Sequence, residues 1–497
     1  MTTNHTEDIY AALDLGSNSF HLLIARFEGN KLVVIDRHKE MVRLAEGLLN
    51  DGSLSKKVIK RAIESLRRFA ERLRPTPATH FKVIGTNTLR QATNADHFLE
   101  QAEYILGAPI DIISGIEEAR LIFMGVAQDL SVSIEKRMVM DIGGGSTEFI
   151  VGNDQPEHLE SLEMGCVTYS RRFFADGKLS KKAYQKAVIT ARAEIQEIAH
   201  DFNSANWHEA VGTSGTIKAI EKVLYAMGEA GDHTITPAGL VAMSRALLEF
   251  NDTSEIKLPG LSDERKPVIA GGLAVLHAAF LELGIERMHV SSYAAREGSI
   301  MDLAGKVHRQ DTRERTVKAM SKRFSIDTRH AERVSSLASN FLNDVKTEYP
   351  DNYVQVRQLL DWSARLHELG LMISHQGYHK HSAYLLANSE MPGFSKQEQK
   401  YLSFLVQNHR KKLKSMPQTY GFEPDWLMVS LLRLACLFNR RREDNGVPEN
   451  LQLNITGDKI TLALPEPWLR EHPLTQEDLL QEKHYLQQMD IRLKICH

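Results

Sequence analysis

Short apolar runs alternate with longer amphipathic segments from the start of the chain to about residue 305. FKVIGT (Phe81–Thr86) and IDIIS (Ile110–Ser114) have the length and the β-branched content of strands. SKKVIKRAIESLRRFAERL (Ser55–Leu73) repeats its apolar residues at the spacing of an amphipathic helix. Because strands that alternate with helices are typical of α/β folds, this pattern predicts an α/β architecture for the region.

The pattern changes after about residue 305. From there to LLRLACLFNRRRED the chain has helical periodicity and few strand signals. LQLNITGDKITLAL then offers two short strands around Gly457 and Asp458, a dipeptide that favours a hairpin turn. With 497 residues, the chain is also too long for a single hydrophobic core. We therefore predict a helical region over 306–445 and a small α+β tail over 446–497.

Two stretches of the chain resemble each other, ALDLGSNSFHLLIA (Ala12–Ala25) and VMDIGGGSTEFIVG (Val139–Gly152). Each is an apolar run that ends in aspartate, followed by a turn of small residues and a second apolar run. Their alignment places Asp14 on Asp141. A repeat in the same strand context indicates the duplication of a half-domain. The predicted α/β domains are 1–127 and 128–305.

The composition is that of a globular protein, because 42% apolar and 25% charged residues exclude a disordered chain. The net charge of −3 provides no global positive field, so nucleic acid is not a predicted partner. No apolar run approaches the roughly 20 residues of a transmembrane segment. The N-terminus lacks the pattern of a secretory signal, and the three cysteines lack metal-ligand spacing. We predict a cytoplasmic protein and leave peripheral attachment to a membrane open.

The repeated turns have the features of phosphate-binding loops. A strand that turns through Gly-x-x-Ser exposes successive backbone N–H groups, which bind anions. Glycine is expected there because it adopts positive φ freely and has no Cβ to block a phosphate. AVGTSGTIKAI (Ala210–Ile220) is a third strand with small residues, here leading into a helix whose N-terminus favours anions. Ordinary turns and a helix cap are the alternative, and the presence of two copies favours phosphate.

Carboxylates stand beside these turns. Asp14 and Asp141 end the strands before them, and Glu148 follows seven residues after Asp141. They would repel a bound phosphate unless a cation lay between, and Mg²⁺ binds carboxylates while it bridges to phosphate oxygens. We therefore predict that Asp141, Glu148 and Asp14 bind Mg²⁺. The alternative is that one of them is only a turn or cap residue.

A series of motifs follows in order along the chain: DLGSNSFH, TNTLRQATNA, ISGIEEARLIFMGV, DIGGGSTE, MGCV, GTSGT and AAREG. With them the chain resembles the exopolyphosphatase/guanosine pentaphosphate phosphatase family, a branch of the actin-like, sugar-kinase and Hsp70 ATPase superfamily. The resemblance implies two actin-like (ribonuclease-H-like) domains flanking a cleft, then an all-α HD-like domain and a small α+β tail. In this fold each α/β half of the chain contributes one phosphate loop to the cleft. The resemblance separately implies a homodimer.

The resemblance implies roles for individual residues. Glu118, the second glutamate of SGIEEAR, would be the general base that takes a proton from the attacking water. Glu117 would be an acid in the first helical turn, although the sequence leaves open which of the two points into the cleft. Mg²⁺ would bind Asp141 and Glu148, and a monovalent cation such as K⁺ is a further candidate. The implied contacts to the terminal phosphate are Ser17, Asn18, Ser19, Arg90, Gly143, Gly144, Gly145, Ser146, Thr147, Gly212, Ser214, Gly215 and Thr216.

The helical region resembles an HD-type phosphohydrolase domain in RHAERV, LHELG, HQGYHKHSAYLL and VQNHRKK. Such a domain binds metal through histidines, a His-Asp pair and a late aspartate. In this chain the pair is His367-Glu368 and the late position is Cys436. Because a thiol is a poor ligand for a hard cation, we predict a binding role rather than a second active site.

The same region is rich in basic residues, which form either a solvated helix face or a groove for a polyanion. A linear polyphosphate is a dense line of negative charge, and a cationic groove would hold it through salt-sensitive contacts. The residues of this predicted polyphosphate rail are His379, Lys380, His381, His409, Arg410, Lys411, Lys412 and Lys414.

HKHSAYLLANSEMPGF and LPGLSDERKPV look more like the exopolyphosphatase branch of the family. We therefore predict an exopolyphosphatase that uses Mg²⁺ and releases orthophosphate processively from the end of inorganic polyphosphate. Hydrolysis of guanosine pentaphosphate (pppGpp) is the alternative, and a phosphotransferase or a non-enzymatic polyphosphate or alarmone sensor are further ones. Tyr293 stands in SSYAAREG where the family usually has small residues, and we expect it to disfavour a nucleoside such as that of ATP.

Overall fold

The computed structural model of the chain describes residues 8–29, 31–75, 78–129, 135–229, 234–307, 311–413, 424–444, 446–448 and 451–496. The chain forms two compact units, Met1–Asp311 and Thr312–His497. The first contains both predicted α/β domains, and the second contains the helical region and the tail.

The first half of the Met1–Asp311 unit contains a five-stranded sheet in the order β3-β2-β1-β4-β5. Its strands are β1 (Ile9–Leu15), β2 (Phe20–Glu28), β3 (Lys31–Glu40), β4 (His80–Gly85) and β5 (Ile110–Ile112). Its helices are α1 (Lys56–Leu73), α2 (Asn87–Gln91), α3 (Ala95–Leu106) and α4 (Gly115–Asp129). The strand β1 pairs antiparallel with β2 and parallel with β4.

The helix α1 illustrates how the hydrophobic pattern determines these elements. It was predicted over Ser55–Leu73 and begins at Lys56, directly after Ser55 as the N-cap. The side chains of Val58, Leu66 and Phe69 on one face are buried. Because residues three and four apart share a helix face, this spacing alone determines which side packs on the sheet.

The second half contains a six-stranded sheet in the order β10-β11-β9-β6-β7-β8. Its strands are β6 (Arg137–Ile142), β7 (Thr147–Gly152), β8 (Pro156–Leu162), β9 (Glu209–Thr213), β10 (Thr234–Ile235) and β11 (Met288–Val290). Its helices are α5 (Cys166–Phe173), α6 (Lys181–Gln196), α7 (Ala199–Phe202), α8 (Ser214–Met227), α9 (Pro237–Leu247), α10 (Lys266–Leu283) and α11 (Ala295–Val307).

The two sheets repeat one topology, which confirms that the halves are related. The order β8-β7-β6-β9-β11 corresponds to β3-β2-β1-β4-β5, and β6 is antiparallel to β7 and parallel to β9. The short β10 is added antiparallel to β11 at the edge. Within the repeated hairpins, Asp14 lies opposite His21 and Asp141 lies opposite Glu148.

The helices α4 and α11 cross between the two halves. Ile122 of α4 belongs to the same apolar cluster as Val139 of the second sheet. Ile300 of α11 belongs to the same apolar cluster as Tyr10 of the first sheet. The last helix of each half therefore packs against the sheet of the other half. The predicted boundary between residues 127 and 128 thus separates segments that pack together.

Glycines bring α4 and α11 into backbone contact. A Cβ added at Gly125 would lie 2.2 Å from the Ala294 carbonyl oxygen, and one at Gly298 would lie 1.7 Å from that of Leu121. No real side chain tolerates such a distance. The glycines thus allow the two helices to approach more closely than any other residue would.

A buried ion network connects the same two helices. Arg120 of α4 donates to both Glu117 oxygens at 2.7 Å and to Asp302 of α11 at 2.6 Å. Lys82 of β4 also lies 3.2 Å from Asp302. All four side chains are buried, so each charge depends on its partners.

The helix α10 is strongly apolar. Together with the preceding turn, Asp263–Leu283 is long and apolar enough to cross a membrane by length and composition. However, 67% of its apolar window is buried inside the structure, as in the core helix of a globular protein, so it is weak evidence for a membrane span.

The Thr312–His497 unit combines helices with a three-stranded sheet in the order β12-β13-β14. Its helices are α12 (Thr312–Arg323), α13 (Thr328–Asp344), α14 (Tyr353–Leu366), α15 (Tyr378–Asn388), α16 (Lys396–Asn408), α17 (Trp426–Phe438), α18 (Glu466–Glu471) and α19 (Pro473–Gln487). Its strands are β12 (Gln452–Thr456), β13 (Lys459–Ala463) and β14 (Arg492–Cys496).

The tail of this unit forms the predicted hairpin, which turns at Gly457 with a φ of 59°. Leu453 and Leu462 of the hairpin belong to the same core as Phe341 and Leu432 of the helices. The helical region and the tail, which were predicted as separate regions, therefore share one hydrophobic core.

The Gly298→Ala substitution tests the contact between α4 and α11. Alanine in place of glycine within a helix usually stabilises it by about 1 kcal/mol, but here the methyl group would overlap the Leu121 carbonyl. We expect a loss of roughly 1–3 kcal/mol of stability instead, seen as a lower thermal midpoint. Gly446→Ala is the control, because the nearest neighbour of an added Cβ there lies at 3.5 Å, an ordinary van der Waals distance. Equal midpoints for the two variants would contradict the contact.

Candidate active site

A cavity of about 240 Å³ in the Met1–Asp311 unit is lined by both repeated turns. It also receives the start of α4 and the start of α8. Most of the residues predicted from the sequence line it. They are Asp14, Ser17, Asn18, Ser19, Glu118, Asp141, Gly143, Gly144, Gly145, Ser146, Ser214, Gly215 and Thr216.

The two repeated turns touch each other. A Cβ added at Gly144 would lie 2.9 Å from the Cβ of Ser17 and 3.4 Å from the Asn18 nitrogen. The Ser17 hydroxyl accepts a hydrogen bond of 2.8 Å from Thr88, which holds the first turn on α2. The backbone amides of both turns therefore border the same cavity.

The reason for glycine in these turns differs from the prediction. None of Gly16, Gly143, Gly144 and Gly145 has a φ in the left-handed region. Close approach requires them instead: a Cβ at Gly145 would lie 2.2 Å from the Asn87 side-chain oxygen. The close approach of the Ser17 and Asn87 side chains, rather than positive φ, excludes larger residues at Gly144 and Gly145.

The third small-residue segment also differs in detail. Here the positive φ, 81°, belongs to Ser214, whose hydroxyl donates to the Ile142 carbonyl at 2.9 Å. Gly215 leaves room for Arg265, because an added Cβ would lie 1.8 Å from that guanidinium. Ser214 thus connects this segment to the second turn by a hydrogen bond, and Gly215 leaves space for the Arg265 guanidinium.

Three predicted phosphate contacts do not line the cavity. Arg90 donates to the Ile113 carbonyl at 2.7 Å, although its charge still lowers the pKa of Glu118. The Thr147 hydroxyl donates to the Met164 carbonyl and is fully buried. Gly212 lies inside β9. Strand pairing and buried hydrogen bonds hold these residues just outside the cavity, and their contact with phosphate stays a prediction.

Four carboxylates gather beside the cavity. Burial raises the pKa of Asp14 to about 6, that of Asp141 to about 8 and that of Glu148 to about 7. Burial also raises the pKa of Glu118 well above its usual value, and the charge of Glu148 raises it further. These groups resist ionisation together because each negative charge disfavours the next.

This carboxylate set fits a hard divalent cation. All its donors are oxygens, and Asp141 and Glu148 face each other on paired strands. One oxygen of Asp14 is buried without a hydrogen-bond partner among the described residues. Glu148 does not line the cavity itself and accepts a hydrogen bond of 2.9 Å from Ser161.

The structure separates the roles of the two neighbouring glutamates. Glu118 lines the cavity, and its Oε2 is buried without a partner in the described part of the chain. Glu117 turns away from the cavity and holds Arg120 in the buried ion network. The question that the sequence left open is therefore resolved in favour of Glu118.

Comparison with known proteins identifies the family. Residues 23–307 match the Ppx/GppA phosphatase family, and residues 312–483 match Ppx/GppA phosphatase domain III. The chain is 40% identical to a guanosine-5'-triphosphate,3'-diphosphate pyrophosphatase of Pseudoalteromonas translucida over 480 residues, 96% of either chain. The chain belongs to the Ppx/GppA phosphatase family.

Solved structures share the fold of this chain. A Ppx/GppA protein of Aquifex aeolicus matches with a TM-score of 0.52 at 23% identity, over 61% of this chain and 99% of its own. An exopolyphosphatase of Cytophaga hutchinsonii matches with a TM-score of 0.55 at 21% identity, over 61% and 98%. The predicted Ppx/GppA resemblance and fold class are confirmed, and the protein is a hydrolase of phosphoanhydride bonds.

The Ppx/GppA cavity also contains cations that the sequence analysis did not assign. They are Lys39, Lys218, Arg265 and Arg296. Their charges, together with burial as the largest cause, hold the pKa of His21 well below its usual value. A signal existed for three of them, since Lys218 lies two residues after GTSGT, Arg265 lies within LPGLSDERKPV and Arg296 lies within AAREG. No motif marks Lys39, which lies near the end of β3 and lines the cavity only because of the fold.

The polyphosphate rail predicted in domain III is only partly a charged surface. Lys380, Lys411 and Lys412 are exposed, and His381 and Arg410 are partly exposed. The prediction is wrong for His379 and His409, which are buried. Burial also holds the pKa of His409 well below its usual value, so this ring is uncharged. Lys414 lies outside the described residues.

The raised carboxylate pKa values predict how Mg²⁺ and protons compete. The acids are protonated below their pKa values and anionic above them, so Mg²⁺ should raise the thermal midpoint more at about pH 9 than at about pH 6. Asp141, with a pKa of about 8, is central to this effect. Thermal unfolding with and without Mg²⁺ at both pH values measures it.

The Asp141→Asn variant should lose most of this Mg²⁺ effect. Without Mg²⁺ at about pH 9 it should be more stable than the natural chain, because it no longer ionises a buried carboxyl against its raised pKa. Asp154→Asn, an exposed change in the same unit, is the control and should behave like the natural chain. An unchanged Mg²⁺ effect in Asp141→Asn would contradict the site.

Proposed function

We propose that this protein hydrolyses the terminal phosphoanhydride bond of guanosine-5'-triphosphate,3'-diphosphate and releases orthophosphate. The observation that carries the proposal is the 40% identity, over 96% of both chains, with a protein named for this substrate. It favours the nucleotide over inorganic polyphosphate, which the motifs alone had favoured. The chemistry proposed at the terminal phosphate is the same for both substrates.

The cavity supplies what such a reaction requires. Backbone amides of the touching turns and the charges of Lys218, Arg265 and Arg296 would hold the oxygens of the terminal phosphate. Phosphoryl transfer depends mainly on positioning and on charge stabilisation, which these groups would provide. His21, which is held by Arg296 at 2.5 Å and by Ser19 at 2.7 Å, would fix the cationic side of the cavity.

Glu118 would act as the general base. Its raised pKa makes it a stronger base than an exposed carboxylate, and its unpaired oxygen borders the cavity. It would take a proton from water while the water oxygen bonds to the terminal phosphorus. The bond from phosphorus to the bridging oxygen breaks. Guanosine-5'-diphosphate,3'-diphosphate leaves with that oxygen, and the terminal phosphate is released as orthophosphate.

Mg²⁺ would be held by Asp141, Glu148 and Asp14. When bound, the ion would offset the negative charge of the phosphate and of the carboxylates. The residues themselves would orient it, since strand pairing fixes Asp141 against Glu148 and Ser161 holds the Glu148 carboxylate. K⁺ as an additional cation stays a prediction, as do the homodimer and the cytoplasmic location.

Inorganic polyphosphate is the second candidate substrate, and the exposed charges of Lys380, Lys411 and Lys412 favour it. The predicted obstacle to a nucleoside has a definite position: the Tyr293 ring lies 5.8 Å from the Arg37 guanidinium and does not line the cavity. The non-enzymatic sensor is disfavoured, because Glu118 and Asp141 line one cavity in a family of hydrolases.

Substitution of Glu118 by Gln tests the proposed base. We expect turnover to fall by about a hundredfold or more with little change in KM, because the loss concerns the transition state. Glu117→Gln is the matched control from the next position. It should lose roughly 3 kcal/mol of stability by breaking the buried pair with Arg120, yet keep turnover per folded molecule. Natural turnover in Glu118→Gln would remove this residue as the base.

A phosphate-release assay on guanosine-5'-triphosphate,3'-diphosphate and on long polyphosphate, run side by side with Mg²⁺, decides between the substrates. We expect the higher kcat/KM for the nucleotide. The double charge reversal Lys411→Glu/Lys412→Glu should leave nucleotide hydrolysis unchanged, since both residues are remote in sequence from the turns. Preference for polyphosphate, together with a loss specific to long chains in this variant, would support the second candidate.

A further inference from the structure

Ligand-type side chains converge in the Thr312–His497 unit at a place the hydrolytic site does not use. One ring nitrogen each of His367 and His409 and the Cys436 sulfur lie within 4.8 Å of one another. All three residues line a cavity of about 500 Å³. They come from the C-terminal ends of α14, α16 and α17, so packing of the helices assembles them.

The two histidines present their free nitrogens in the same way. His367 Nδ1 donates to the Ala364 carbonyl at 2.6 Å, and His409 Nδ1 donates to the Val406 carbonyl at 2.6 Å. A carbonyl oxygen only accepts, so each Nδ1 carries the proton and each Nε2 has a lone pair. Metal-bound histidines are oriented by this kind of hydrogen bond.

Both rings are buried, and their Nδ1 atoms are taken up by backbone carbonyls. His409 Nε2 has only one further neighbour among the hydrogen bonds of the described residues, the Tyr378 hydroxyl at 3.5 Å, which is a long distance for such a bond. Two buried rings with available Nε2 atoms therefore flank the Cys436 sulfur.

We propose that His367, His409 and Cys436 bind one zinc ion, or another borderline divalent metal, through His367 Nε2, His409 Nε2 and Cys436 Sγ. Two imidazoles and a thiolate suit zinc and exclude Mg²⁺, which requires oxygen. In a tetrahedral site the nitrogen and sulfur ligands lie about 3.5 Å apart, so small movements of these side chains would close the site.

The neighbouring charges are arranged compatibly. Glu368 Oε1 lies 3.9 Å from His367 Nε2 and accepts from Arg442 at 2.5 Å, so it is engaged next to the site. Arg433 is paired with Glu482. Arg410, which follows His409 directly, also lines the cavity and lies 4.6 Å from the Tyr378 ring. The thiolate would offset one charge of the metal.

This geometry explains why Cys436 could stand where an HD-type domain has its late aspartate. The sequence predicted a binding role because a thiol is a poor ligand for a hard cation. The same thiol, between two imidazoles, is a good ligand for a softer one. The proposal does not depend on the substrate of the hydrolytic cavity.

The test measures metal bound to the full chain. The protein is first treated with a chelator and then titrated with Zn²⁺ in excess Mg²⁺, and bound zinc is counted by elemental analysis. We expect one zinc per natural chain. Cys436→Ser and His367→Gln should weaken binding by more than about a hundredfold, since loss of a second-shell partner alone costs 10–100-fold. Cys496→Ser, in β14, is the matched control and should bind like the natural chain.

Cobalt provides a second readout that needs no variant. Co²⁺ bound to the natural chain should give the visible bands of a tetrahedral site and a thiolate charge-transfer band. That charge-transfer band should persist in Cys496→Ser and disappear in Cys436→Ser, whose folding is checked by thermal unfolding without metal. If Cys436→Ser fails to fold, the natural chain's cobalt spectrum and His409→Gln decide. No bound zinc in the natural chain, zinc bound equally by Cys436→Ser, or a cobalt spectrum without thiolate would overturn the proposal.

Discussion

The hydrolytic site depends on backbone packing that tolerates no side chain larger than a hydrogen atom. Gly125 and Gly298 bring α4 and α11 together, and Gly144 brings the second turn onto the first. Because α4 and α11 each cross to the other half, these contacts determine where Glu118 and Arg296 lie. A methyl group at either helix contact would move Glu118, the proposed general base, away from the turns proposed to hold the phosphate.

The cavity built in this way has a cluster of acidic side chains on one side and a cluster of basic side chains on the other. On one side, burial and then the neighbouring carboxylates raise the pKa of Glu118 and of Asp141. On the other side, burial and then the lysine and arginine charges lower the pKa of His21. Neither group can neutralise the other fully across an open cavity. A phosphate between cations and a metal between carboxylates would satisfy both, which explains why one cavity would bind substrate and Mg²⁺ together.

Burial also determines the charge of the histidines in the Thr312–His497 unit. Its basic segment contributes exposed lysines to the surface, whereas His379 and His409 turn inward. Burial removes the charge of His409, and backbone carbonyls fix the tautomers of both His367 and His409. His379 and His409 thus look like part of a basic surface in the sequence, but the fold buries them.

The amino-acid sequence by itself determined the α/β and helical regions, the repeated turns and most residues of the cavity, because strand and helix periods and short motifs are local properties. It also placed Glu118, Asp141 and the turn glycines at one site through the family resemblance. Only the tertiary structure decided that Glu117 belongs to an ion network, that Arg90 and Thr147 bond elsewhere, and that Lys39 enters the cavity. It likewise decided that the turn glycines serve close contact and that His367, His409 and Cys436 meet. Such outcomes depend on burial and on partners distant in the chain, and no local pattern of residues encodes them.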